Sequence, residues 1–149
     1  MKYLKKFEKK YDNLLEYIDH LDTKNVKKLI VSGTDLNITN RLGRTALMMA
    51  AIMENVKIIK LLIDTGANLN IQDFNGYTAL MYAADFSNVR GIDTVILLID
   101  AGAYWHKINK DEKDFLDLLT DEYQKIIINR YPIEYKEYLI RKNAEKYNL

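Results

Sequence analysis

Cysteine is absent from all 149 residues, which excludes a disulfide framework, a thiolate nucleophile and a zinc–thiolate site. Histidine is almost as scarce: His20 and His106 stand far apart in the chain. Only Ser32 and Ser87 offer serine hydroxyls, so no arrangement for nucleophilic or metal catalysis can be assembled from neighbours. The acidic runs Asp111, Glu112, Asp114 and Asp117, Asp121, Glu122 read as a solvated turn and as helix-start charges, not as a metal site. No run approaches the ~18 apolar residues that a membrane span needs. The N-terminus carries Lys2, Lys5, Lys6, Lys9 and Lys10 with no apolar block behind them, against a secretory signal. An excess of one charge is missing too, since 22 Lys and Arg face 21 Asp and Glu. No global field therefore draws the chain to nucleic acid or acidic lipid. The expected protein is soluble, cytoplasmic, without cofactor or metal, and not an enzyme.

Glycine is sparse, and its positions are regular. Gly43-Arg44-Thr45-Ala46-Leu47-Met48-Met49-Ala50-Ala51 matches Gly76-Tyr77-Thr78-Ala79-Leu80-Met81-Tyr82-Ala83-Ala84 at a shift of 33 residues. Leu29-Ile30-Val31-Ser32-Gly33 matches Leu62-Ile63-Asp64-Thr65-Gly66 at the same shift, and Asn37 matches Asn70. A period of this size signals a stack of supersecondary units, each unable to bury its apolar face alone. All six glycines are used by the pattern: Gly33, Gly66 and Gly102 end helices, Gly43 and Gly76 make turns, and Gly91 lies in an insertion. None is left for a phosphate-binding loop.

These residues resemble the ankyrin repeat: a turn with Gly, a Thr-x-Leu-x-x-Ala-Ala helix, a second Leu-rich helix, then Gly-Ala-x-x-Asn. The resemblance implies an all-α solenoid of stacked helix-turn-helix units with hairpin loops, forming a single domain. Residues 12–38 form the first, worn repeat, with Asp12 at the capping position and Tyr17 where later repeats carry alanine. Residues 39–71 form the most complete repeat. Residues 72–107 form a third with a three-residue insertion, since Gly66 to Gly102 spans 36 residues. The insertion is expected within Asp85–Asp93 as a loop between the two helices, either functional or a neutral extension. Residues 108–131 form a shortened fourth repeat whose helices are Phe115–Leu119 and Ile126–Ile128. Asn109 takes the place of Asp73, Glu112 that of the turn glycine and Asp114 that of the capping threonine. Trp105 falls where Leu36 and Leu69 fall, and is expected to pack at a hairpin base.

Helices at 1–11 and 132–149 are expected to cap a finished array, the first with Tyr3, Phe7 and Tyr11 on one face. The alternative for that segment is a basic amphipathic helix that binds a membrane or nucleic acid. Met48 and Met81 replace the family's histidine, which ties neighbouring hairpins together, so looser hairpin tips are expected.

The resemblance also implies a function. Ankyrin proteins seat partners on a concave strip of hairpin tips and first-helix positions. Carried over, that strip is Arg41, Leu42, Arg44, Ile52 and Met53, then Phe74, Asn75, Tyr77, Asp85 and Phe86, then Lys110, Asp111 and Lys113. Its middle is rich in the aromatic, Met and Arg side chains that interface centres favour. The reading is a monomeric protein-binding adaptor or inhibitor with another protein as its partner. A nucleic-acid-associated role on the thin basic strip of Arg41, Arg44, Lys110 and Lys113, or self-association through the strip, are the alternatives.

Overall fold

Each hairpin is built by one short polar side chain. Asn40 Oδ1 accepts the N–H groups of Leu42 at 2.9 Å and Arg44 at 3.0 Å. Asp73 Oδ1 accepts those of Asn75 and Tyr77, both at 2.9 Å. Asn109 Oδ1 accepts those of Asp111 at 2.9 Å and Lys113 at 3.0 Å. This Asx geometry fixes a tight turn that the backbone alone would leave loose. Each turn then delivers the chain to a helix cap. Thr45 Oγ1 receives the Met48 N–H, and Met48 Sδ receives the Thr45 N–H in return, so a thioether fills the role of the usual Glu or Gln. Thr78 caps the next helix through the Met81 N–H at 3.2 Å. Asp114, the substitute in the last unit, accepts from Leu116 and Asp117.

The computed structural model describes Leu14, Leu15, Ile18 and residues 23–90 and 92–147. The expected cap over 1–11, the capping role of Asp12 and the ring of Tyr17 lie outside them. The described helices are α1 (Thr23–Val31), α2 (Ala46–Ile52), α3 (Val56–Asp64), α4 (Ala79–Arg90), α5 (Asp93–Asp100), α6 (Asp121–Arg130) and α7 (Pro132–Tyr147). A 3₁₀ turn covers Leu116–Leu118, and the extended pairing among the described residues is a single bridge, Thr39 to Thr45. The chain is an all-α repeat solenoid. Ala50, Ala51, Ala83 and Ala84 are buried, which lets α2 lie directly on α4. Ile58, Ile59 and Leu62 are fully enclosed behind them, as are Val95 and Leu98 of α5. Each such side chain contributes about 1.5–3 kcal/mol of burial. Trp105 joins this core, edge-on to Phe115 at 5.2 Å, in keeping with its place at a hairpin base.

Four expectations change. The third unit's extra length does not loop out after Ala84: α4 runs on to Arg90, 12 residues against seven for α2. The last unit's first helix shrinks to the 3₁₀ turn, because Asp114 and Asp117 cap it at once and Thr120 starts a new helix through the Tyr123 N–H. Asp114 is not part of a solvated turn either. It is buried, and its Oδ2 accepts the Tyr138 hydroxyl and the Lys142 ammonium, both at 2.7 Å.

Finally, the hairpin tips are tied together without the family's histidine. Phe74 N–H donates to Leu42 C=O at 3.2 Å, and Lys110 N–H donates to Asn75 C=O at 2.9 Å. Gly43 and Gly76 permit that approach, for a Cβ on either would stand 2.9 Å from the backbone of the next hairpin. Glu112 occupies the same left-handed conformation, with φ of 60°.

Candidate functional site

The backbone ties between hairpins set the expected strip on one continuous edge. Leu42 and Phe74 are 54% and 66% exposed, and the bond between their main chains makes them neighbours. Asn75 and Lys110 are joined in the same way one hairpin further on. Beside them opens a cleft of about 390 Å³ whose walls include Arg44, Asn75, Tyr77, Asp85, Phe86, Lys110 and Asp111. Phe86 is 40% exposed on the α4 wall. Seven residues of the expected strip thus meet in one place.

Other members behave differently. Ile52 and Met53 are half-buried and pack against the core, because α2 ends there and its last turn leans on the helices behind it. Tyr77 is also half-buried, its ring 4.9 Å from that of Tyr82. Its phenol titrates above the ordinary tyrosine range, first through burial and then through the nearby Asp85 charge. Arg41 and Lys113 are exposed but do not line the cleft.

Arg44 is already engaged. Its Nε–H donates to the Tyr82 hydroxyl at 2.9 Å, and that hydroxyl donates to Asp73 Oδ2 at 2.6 Å. The guanidinium also lies over the Tyr82 ring and stands 3.7 Å from the same carboxylate oxygen. Burial, reinforced by the Asp73 carboxylate, pushes the Tyr82 phenol up to about 12. This triad rivets the first hairpin to the second and to α4, and it neutralises one cation of the thin basic strip. Tyr82 is the cleft residue absent from the expected strip. It replaces Met49 at the 33-residue shift, and a ring with a hydroxyl at that point was the available signal.

Among the described residues, no group of three or more His, Cys, Asp and Glu side chains is placed to hold a metal ion. No described helix is long and apolar enough to cross a membrane. The cleft offers rings beside charges of both signs, on an edge whose hairpins are bonded to one another.

A family model for ankyrin repeats in three copies matches residues 17–114, about two-thirds of the chain. A comparison with curated proteins finds no match. Hairpin, capped helix, buried alanine pair and glycine-ended second helix recur through the matched span. The chain belongs to the ankyrin-repeat family, whose members are in general protein–protein interaction modules and typically non-catalytic.

Proposed function

We propose that this chain is a non-enzymatic adaptor or inhibitor that seats a partner protein on its hairpin-tip strip. The observation that carries the reading is the exposure of Leu42, Phe74 and Phe86 on an edge whose hairpins are bonded to one another. Large apolar side chains held open on rigid elements are available to a partner without much ordering cost. Arg41, Asn75, Asp85, Lys110 and Lys113 supply a polar rim, and Arg44 and Tyr77 form its floor. Ile52 and Met53 contribute by supporting the strip from behind. The working compartment is the cytoplasm. The repeat boundaries, including a shortened fourth unit over 108–131, belong to the same proposal.

Affinity capture from the native cell, read by mass spectrometry, tests it. Wild-type bait should retain a protein that bait carrying Phe74→Ala and Phe86→Ala does not. Retention of the same proteins by both baits would remove the strip from the account.

A further inference from the structure

A second surface lies away from the strip and shares no residue with it. Along the other edge of the solenoid, each repeat's loop receives the next one. Asn68 N–H donates to Asn37 Oδ1 at 2.8 Å, and Tyr104 N–H donates to Asn70 Oδ1 at 2.8 Å. His106 holds the corresponding place in the third repeat, but no loop among the described residues bonds to it. Where earlier repeats extend a Gly-Ala loop after their second helix, Pro132 starts α7 instead. A cleft of about 700 Å³ opens there, between the Gly102–His106 segment and α7.

Its walls differ from those of the strip. Tyr104 is half-exposed and stacks on His106 at 5.3 Å, presenting a flat surface. Glu134 and Glu137, one turn apart on α7, face the same space and are exposed, with no ion pair to any described residue. Arg141 is the opposing cation. Trp105 is 9% exposed and lines the same space. The chain's own cations already lie over rings bordering the cleft: the Arg130 guanidinium is 5.5 Å from the Tyr131 ring centre.

We infer that this cleft binds an extended peptide segment bearing arginine, which takes the place of the missing loop. The segment's guanidinium stacks on Tyr104 and pairs with Glu134 and Glu137, since a planar fork matches carboxylates and aromatic faces together. In earlier repeats this loop surface accepts the backbone N–H of the next loop, and Glu134 and Glu137, which pair with no described cation, select the charge of the segment.

Trp105 is the chain's only tryptophan, so its fluorescence reports on the cleft wall and the core behind it. The full chain is titrated with a blocked hexapeptide alternating arginine and alanine. A saturable change is expected, at least tenfold weaker after Glu134→Gln with Glu137→Gln, and stronger after Arg141→Ala. Lys60→Ala, on exposed α3 surface, should leave it unchanged. A lysine–alanine hexapeptide should bind several-fold more weakly, and a glutamate–alanine one not at all. No saturable change, equal affinity in the double glutamine variant, equal binding of the lysine peptide, or binding of the glutamate peptide would each overturn the assignment. Concentration-dependent self-association that the arginine peptide fails to compete would overturn it in favour of a second copy of the chain.

Discussion

Asn40, Asp73 and Asn109 make the same turn with one oxygen, and their second polar atom distinguishes them. That atom on Asp73 is a carboxylate oxygen, and it gathers Tyr82 and Arg44 into one network. On Asn109 it is an amide nitrogen, buried with no hydrogen-bond partner among the described residues. Asp73→Asn should therefore keep its hairpin but leave the Tyr82 hydroxyl and Arg44 short of an acceptor, a loss of about 1–3 kcal/mol in urea unfolding. An unchanged midpoint would show the network to be dispensable. The same network predicts a pH dependence. The Tyr82 phenol titrates near 12 in the folded chain against 10.0 for an unperturbed tyrosine, so folding favours its protonated form. That contribution is complete below pH 10 and is lost as pH rises through 12. Between those values the urea midpoint should fall less steeply for Tyr82→Phe than for the parent, and parallel slopes would contradict this assignment.

Hairpins and terminal helices show how an array ends. Gly43 and Gly76 need both a left-handed backbone and the absence of a Cβ, because the next hairpin presses on them. Glu112 ends the series of hairpins, and it keeps the conformation without the residue suited to it. Glu112→Gly should relieve about 1–2 kcal/mol of strain. The greater chain entropy of glycine offsets part of that gain, by about 0.5–1 kcal/mol. The net result is a modest rise in melting temperature. Gly76→Ala should instead cost about 2–4 kcal/mol, adding a clash to the strain. If the two variants shift stability in the same direction, the hairpins do not stack as described. At the far end, α7 lays Tyr138 beside Trp105 at 6.2 Å and brings Lys142 to buried Asp114. Truncation after Tyr131 should expose that cluster and produce aggregation or a clearly lower melting point. A truncated chain as stable as the parent would make α7 an appendage.

Across the whole molecule, whatever recurs was readable in the sequence. The 33-residue shift located the turns, the capping threonines and the alanine pairs, because stacking imposes the same demands on every repeat. Much of what occurs once was not readable. Extra residues between two helices can join either helix or form a loop, and nothing in Asp85–Arg90 announces that α4 continues. Tyr77 matches an outward position, but its neighbour Tyr82, where the previous repeat has Met49, packs against the ring. The second cleft combines Tyr104 and Trp105 with Glu134 and Glu137, residues that no internal match relates.

Within the proposed strip, the residues expected to support the fold and those expected to bind separate by exposure. Tyr77→Ala should destabilise, since it removes a ring packed on Tyr82. Phe74→Ala and Phe86→Ala, at exposed positions, should each shift stability by no more than about 0.5 kcal/mol. The most direct test of the account is to titrate the captured partner against these two variants, with thermal melts of the same samples. At least one should lose about 2 kcal/mol of binding while melting like the parent. Undiminished binding by both, or melting so early that the loss of binding is a loss of fold, would contradict it.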